Sequence, residues 1–407
     1  MLEVNVLFLS ELYYPHGGGA ELATYLYAKL LSEEGFNVVV VTSRFDGETE
    51  VSKNGNLTVW RLPLFKNESI KYSILERFDV LFSSLMRKLM KWADLVYIPR
   101  FWYAAALLAK AYGKPVVTHL HDYIPICPLA TFYDASKRMV CNTKSLLCSP
   151  RCIYVFEKAQ RRGFAEALMS TVLNSTLGRY FGDFIKFSDA IICVSKVQRD
   201  MIVNGEPSLR DRTHVVYNPL PEVSSSEMKG DDFGYYGGPN YLKGFHILYQ
   251  AMVRFSHTDG EVTKIHATKF TSSSEQFAKS LSELGILLHG RLNKEEYDRL
   301  YRQIRAVIVP SIWCEPWPYV VVEAITRGRF LIASSMGGIP EQVEGCKGTL
   351  LFETGDYERL AEAIEFVRGL KRETIIDLGY QNKETFLKRF DNETTIRRFI
   401  NICENLT

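Results

Sequence analysis

Short unbroken apolar runs alternate with longer stretches of helix-spaced apolar residues along most of this chain. In the first half, Val4–Leu9, Val38–Thr42, Leu95–Ile98, Val116–His119 and Ala190–Val194 read as strands, with helices over Ala20–Glu34 and Ala104–Tyr112 between them. Apolar runs without polar alternation belong to strands covered on both faces, the condition of a parallel sheet under helices. The pattern restarts after Asn218-Pro219. Strands are predicted at Phe233–Tyr236, Lys264–Ala267, Ile286–His289, Ala306–Val309 and Phe330–Ala333, and helices at Gly244–Phe255, Ser274–Glu283 and Lys294–Ile304. The fold class is α/β, with two doubly wound Rossmann-like domains, 1–219 and 220–389. Leu220–Asp232 reads as the linker, and a last helix, Thr394–Glu404 within 390–407, is expected to cross back to the first domain. Ligands of such sheets bind beyond the carboxyl ends of the strands, so two facing sheets predict a deep cleft.

The length of 407 residues suits two domains, and 46% hydrophobic with 24% charged residues is the composition of an ordinary folded protein. A formal net charge of +2 argues against a nucleic-acid partner held by bulk electrostatics. There is no run of apolar residues long enough to span a bilayer, and the N-terminal stretch reads as a strand rather than a signal peptide. A cytoplasmic location is expected. Two stretches, Phe65–Trp92 with Arg87, Lys88 and Lys91, and Arg151–Lys186, mix apolar and basic residues. Each is either a helix packed on the sheet or an amphipathic contact with the inner face of a membrane.

The chemistry concentrates at loop-to-helix junctions. Glu315 and Glu323 lie eight positions apart around Pro318, a residue suited to a helix start. Glu315 then falls just before the helix and Glu323 about one and a half turns inside it. A helix N-terminus binds anions, and carboxylates beside it suit hydroxyls of the same ligand. A sugar on a nucleoside diphosphate has both groups. Gly17, Gly18 and Gly19 mark the first strand-to-helix turn, and Gly237, Gly238, Lys243 and Gly244 repeat that arrangement in the second domain, where Lys243 suits a diphosphate. Gly337-Gly338 form a further turn after a strand. His121-Asp122 follow a strand of the first domain, which gives His121 a proton-handling or hydroxyl-positioning role. Cys127, Cys141, Cys148 and Cys152 cluster in one loop, for which structural zinc, an iron–sulfur cluster, disulfides and free thiols all stay open.

Together these motifs resemble the retaining glycosyltransferases of family 4, enzymes of the GT-B fold. The resemblance spans the whole chain and is strongest from Gly285 to Ala363, where His289-Gly290, Pro310-Ser311, Glu315, Glu323-Ala324 and Gly337-Gly338-Ile-Pro340-Glu341 follow the family's order. It implies that Glu315 contacts the donor sugar, that Glu323 binds the ribose, and that the backbone of Trp317, Pro318, Tyr319 and Val320 holds sugar and diphosphate. It further implies that Lys243 neutralises the diphosphate, that Gly18, Gly19 and Gly238 line the ligand, and that His121 is the cleft histidine. The implied activity is transfer of a hexose-type sugar from a UDP- or GDP-sugar to a hydroxyl of a glycan or lipid-linked acceptor, with no cofactor required for catalysis. A nucleotide-sugar epimerase and a non-catalytic nucleotide-sugar-binding subunit are the alternatives. One departure stands out: many members have Gly-Arg where this chain has Gly237-Gly238, and Arg291 is the nearby candidate to supply that charge.

Overall fold

The computed structural model describes residues 4–63, 83–141, 150–160, 162–223, 227–255, 263–271 and 274–406. The chain divides into two compact units, Met1–Pro221 with Asp391–Thr407, and Glu222–Phe390.

Unit 1 is built on a sheet of order β10-β9-β6-β5-β1-β2-β4-β3. Its strands are β1 (Asn5–Leu9), β2 (Asn37–Ser43), β3 (Val51–Asn54), β4 (Leu57–Leu62), β5 (Leu95–Ile98), β6 (Val116–Leu120), β9 (Ala190–Cys193) and β10 (Thr213–Val215), with β7 (Tyr133–Asp134) and β8 (Met139–Val140) forming a separate hairpin. All ladders of the main sheet are parallel except β3 with β4, an edge hairpin closed at Asn54-Gly55-Asn56. That turn is a hairpin signal in the sequence, but the polar β3 lacks the apolar run that marks the central strands. The described helices of this unit are α1 (Gly19–Glu33), α2 (Ser84–Trp92), α3 (Ala105–Ala111), α4 (Pro150–Ala159), α5 (Phe164–Asp183) and α6 (Lys196–Gly205).

Unit 2 carries a six-stranded parallel sheet of order β13-β12-β11-β14-β15-β16. Its strands are β11 (Asp232–Tyr235), β12 (Ile265–Ala267), β13 (Ile286–Leu288), β14 (Ile304–Val309), β15 (Phe330–Ser334) and β16 (Thr349–Phe352). The helices are α7 (Phe245–Phe255), α8 (Glu275–Glu283), α9 (Lys294–Gln303), α10 (Tyr319–Thr326), α11 (Ile339–Val343), α12 (Tyr357–Gly369) and α13 (Arg372–Arg389), and α14 (Asn392–Glu404) belongs to unit 1. Local chemistry sets the helix ends. Asn293 accepts from Glu296 N at 3.0 Å while Glu296 accepts from Asn293 N at 2.9 Å, a reciprocal cap that fixes the start of α9.

The return of α14 to unit 1 follows from its apolar face. Ile396, Phe399 and Cys403 join the core formed by Phe8, Tyr27 and Tyr97, with the Phe399 ring 5.1 Å from Tyr27 and 5.3 Å from Tyr97. Burying a side chain such as Ile or Phe contributes about 1.5–3 kcal/mol, enough for this one face to hold the helix. Asn392 then pins the chain where it leaves and re-enters the unit, accepting from Leu220 N at 2.7 Å and donating to Leu220 O at 3.1 Å.

The two basic-apolar stretches differ in outcome. In α2, Met86 and Met90 are buried and Arg87, Lys88 and Lys91 face solvent, so this helix packs its apolar side on the sheet; residues 64–82 of the same stretch lie outside the described residues. In α5 the large apolar residues Phe164, Leu168, Met169, Val172, Leu177 and Tyr180 are exposed, and Ala167, Ser170 and Thr171 are buried.

Candidate active site

In unit 2 the carboxyl ends of β11, β12 and β14 bring the expected donor residues together. Lys243 ends a single 3₁₀ turn whose start is capped by Asn240, which accepts from Leu242 N at 2.9 Å. Its Nζ lies 2.6 Å from Glu315 Oε1, and Ser311 Oγ donates to the same oxygen at 2.7 Å. Glu315 is buried, so two charge-assisted bonds orient a carboxylate that burial alone would disfavour. The backbone of Glu315 is held as tightly. Gly337, at φ +60°, has no Cβ to clash with the Glu315 carbonyl, which such an atom would approach to 2.3 Å, and Gly338 N donates to that carbonyl at 2.7 Å. The Gly337-Gly338 turn therefore serves the position of Glu315.

Pro318 is the N-cap of α10 rather than its first residue, and no side chain caps this helix. Trp317 is buried edge-on to Phe390 at 5.0 Å, which fixes the approach to Tyr319 and Val320. Glu323 follows inside the helix. Tyr297 donates its hydroxyl to Glu323 Oε2, and Tyr297 packs in turn on a stacked Tyr236–Tyr301 pair with centroids 4.9 Å apart. Burial raises the Glu323 carboxyl above its ordinary value, partly offset by the Tyr297 hydroxyl, Arg327 and Lys269.

Lys269 is the residue that sequence reasoning missed here. It follows β12 in a left-handed conformation, φ +69°, and a Cβ on Gly238 would lie 3.3 Å from its own Cβ. Gly238 thus leaves the room that Lys269 fills. Burial and the positive fields of Lys243 and Arg291 hold Lys269 below the usual lysine value, against a smaller opposing effect of Glu323. Lys243 and Lys269 thus flank the Gly237-Gly238 turn. A lysine directly after a strand was the available signal.

Unit 1 presents a different set at the carboxyl ends of the adjoining strands β1, β5 and β6. Gly18 N donates to Glu21 Oε2 at 2.6 Å, and a Cβ on Gly17, at φ +89°, would lie 2.5 Å from the Glu21 side chain. The glycine turn and the start of α1 at Gly19 accommodate a carboxylate of the chain itself. Arg100, just beyond β5, pairs with Glu21 and lies 3.6 Å from Glu11 Oε1. Burial pushes Glu21 up, but Arg100 and the Gly18 N–H outweigh it and hold the carboxyl below its ordinary value. Glu11, buried with neither carboxylate oxygen in a hydrogen bond, is pushed up to about 7 by burial, with Arg100 opposing and Glu21 and Asp122 adding to the rise. One arginine serves two carboxylates. Glu21 sits three residues after Gly18, the spacing of a helix capping box, and this was its signal in the sequence; Glu11 and Arg100 gave only their places after strands.

His121 emerges beyond β6, its ring 4.6 Å from His119 and stacked on it. Its Nε2 is buried without a hydrogen-bond partner in the structure. Burial lowers its pKa to about 3, with Glu21 opposing and Arg100 reinforcing the shift. A histidine neutral throughout the physiological range is a poor proton carrier and a good hydroxyl-positioning group. Of the two roles expected for His121, the pKa favours the second. Asp122 shapes the turn beside it, accepting from Ile124 N at 3.0 Å.

The cysteine loop is folded by the β7/β8 hairpin and by Cys141 N donating to Phe132 O at 3.0 Å. Burial raises the thiols of Cys127 and Cys141, and the mutual proximity of Cys127, Cys141 and Cys152 adds to the rise. Cys148 lies outside the described residues. Among the described residues, which do not include Cys148, no three His, Cys, Asp or Glu side chains are arranged to hold a metal ion.

Two parallel-sheet units of this topology define the fold of GT-B glycosyltransferases. The chain belongs to Glycosyltransferase Family 4, whose model matches residues 17–222, and the model for glycosyl transferases group 1 matches residues 220–383. It is 20% identical over 362 residues to a 42.6 kDa protein in the cps region of Klebsiella pneumoniae, covering 83% of this chain and 87% of that one. Among solved structures it resembles sucrose-phosphate synthase from Thermosynechococcus elongatus, with a TM-score of 0.73, 14% identity and 99% of each chain covered. HepE of Anabaena, solved in complex with UDP-glucose, gives a TM-score of 0.63 at 16% identity over 99% of each chain.

Proposed function

We propose that this glycosyltransferase moves a hexose-type sugar from a nucleotide diphosphate sugar to a hydroxyl acceptor with retention of anomeric configuration. The observation that carries this reading is the placing of Lys243 and Lys269 against the Gly237-Gly238 turn, with the field of Arg291 reaching Lys269, beside the anchored Glu315 and Glu323. Positive charge gathered in this way is stabilised by a polyanion, and a diphosphate supplies that charge. Lys269 supports the reading further, because it brings a positive charge to Gly238, where many family members have an arginine. Glu315 orients the sugar hydroxyls, Glu323 takes the ribose, and the start of α10 faces the phosphates.

In this mechanism the bond from the anomeric carbon to the phosphate oxygen breaks as the acceptor oxygen bonds on the same face of the sugar. The departing phosphate oxygen takes the acceptor proton. The protein then has two tasks, holding both partners in register and stabilising charge as it develops on the diphosphate. In unit 1 the neutral His121 positions a hydroxyl, and the internally balanced Glu11, Glu21 and Arg100 suit an acceptor rich in hydroxyls rather than charge.

A thermal-shift screen of UDP-, GDP- and ADP-sugars identifies the donor: one nucleotide sugar is expected to raise the melting temperature, and Lys243→Ala is expected to abolish the shift. Proton NMR of the product then reports its anomeric configuration. Release of nucleoside diphosphate that depends on an acceptor separates transfer from epimerisation. Binding of every nucleotide sugar unchanged in Lys243→Ala would refute the donor site.

A further inference from the structure

A water-soluble surface helix normally turns many charges outward, and α5 turns few. Along Phe164–Asp183 the sequence has only Glu166, Arg179 and Asp183 as charged residues, of which Glu166 is exposed. Phe164, Leu168, Met169, Val172, Leu177 and Tyr180 are all exposed, Phe164 by 67% and Tyr180 by 66%. At 100° per residue they fall on one continuous side of the helix, opposite the buried Ala167, Ser170 and Thr171. Ser175 Oγ donates to Thr171 O and Thr176 Oγ1 to Val172 O, each at 2.7 Å, the back-bonding common to serine and threonine inside helices.

The surroundings indicate what covers the stripe. Helix α4 packs along α5 and exposes Arg151 and Lys158, and Lys158 donates to Arg162 O at 3.2 Å, two residues from Phe164. The segment 150–187 holds six basic and three acidic residues, and one of the acids, Glu157, is buried. An aromatic-ended apolar stripe with a positive flank matches a bilayer surface whose headgroups are anionic. A second copy of the chain fits less well. The stripe, about 24 Å long by the helical rise and about one helix wide, offers a few hundred Å² at most, against about 800 Å² per partner in a stable protein interface. Among the described residues no helix is long and apolar enough to cross a membrane, so the contact is with the surface.

We propose that the outer face of α5, flanked by the basic residues of α4, docks the protein on an anionic lipid surface. This inference is independent of the donor-site reading and needs no sugar substrate to test. The full chain is floated with phosphatidylcholine vesicles, with and without phosphatidylglycerol, and compared with Leu168→Gln/Val172→Gln/Tyr180→Gln, with Arg151→Glu/Lys158→Glu, and with Arg87→Glu/Lys88→Glu on α2. Melting curves establish that the variants fold, and analytical ultracentrifugation without vesicles reports self-association. The wild type is expected to bind phosphatidylglycerol vesicles and to lose binding in high salt. The apolar triple variant is expected to bind at least tenfold more weakly, the α4 variant severalfold more weakly, and the α2 variant like the wild type. No flotation of the wild type, or equal flotation of a folded triple variant, overturns the proposal. A wild-type dimer that the triple variant dissolves, without any vesicle binding, assigns the stripe to a second copy and overturns it as well.

Discussion

The carboxyl-terminal edges of the two sheets carry opposite electrostatic designs on the same kind of fold. In unit 1, Arg100 is enclosed by Glu21 and Glu11, a further acid, Asp122, stands near, and the histidine beside them is neutral. In unit 2, Lys243 and Lys269 flank a glycine turn, burial and the fields of Lys243 and Arg291 lower the Lys269 titration, and Lys243 is tied to Glu315. The first edge balances its charges within the chain, and the second leaves positive charge for a ligand. On the proposed reading, equivalent backbones prepare one unit for a neutral, hydroxyl-bearing partner and the other for an anion.

Removing the central cation of unit 1 tests the first half of that contrast most severely. Arg100→Ala strands two buried carboxylates, and a loss of about 3–5 kcal/mol is expected in urea unfolding. An unchanged midpoint would show that Arg100 does not balance the site. Glu11 gives a pH-dependent effect with a defined sign. Its carboxyl titrates at about 7 in the folded protein against 4.5 for the free group, so the folded state holds a proton that the unfolded chain releases between those values. Stability from this group is complete below about pH 4.5 and falls as pH rises through 7. Glu11→Gln is therefore expected to be more stable than the wild type at pH 8, by on the order of 3 kcal/mol, and the difference should vanish towards pH 4.5. A constant difference across pH would contradict the raised titration.

In unit 2 the expected losses are of function rather than stability. Glu315→Ala should lower kcat at saturating donor by about a hundredfold, because it removes a positioned contact to the reacting sugar. Full activity would remove Glu315 from the site. The smallest effect belongs to Lys269→Ala, for which a roughly tenfold weaker nucleoside diphosphate affinity in calorimetry is expected, with Lys269→Arg close to the wild type. If Lys269→Ala bound the diphosphate as tightly as the wild type, the positive cluster would rest on Lys243 and Arg291 alone.

Much of this site was legible from spacing. Glu315, Lys243 and Glu323 sit at strand ends and a helix start that the apolar runs and Pro318 mark, and the structure brings Lys243 within 2.6 Å of Glu315. Lys269 was hidden because a lysine after a strand is ordinary; only the empty space at Gly238 gives it a place. Glu11 was hidden for a related reason, since its raised pKa comes from burial and from sharing Arg100 with Glu21, neighbours remote in sequence. The edge hairpin β3/β4 escaped because a half-exposed strand carries little apolar signal.

The sequence by itself determined the central strands of both sheets, several of the helices between them and the places of Lys243, Glu315 and Glu323 near strand ends, because those follow from local periodicity and turn chemistry. Tertiary structure alone decided which carboxylates share a cation, what each glycine makes room for, and which side of an apolar helix is left uncovered. Helices α2 and α5 show the physical reason. Both lie in segments that mix apolar and basic residues, yet α2 buries Met86 and Met90 while α5 exposes Phe164, Val172 and Tyr180. Periodicity fixes where a face lies on a helix, and only packing fixes what that face meets.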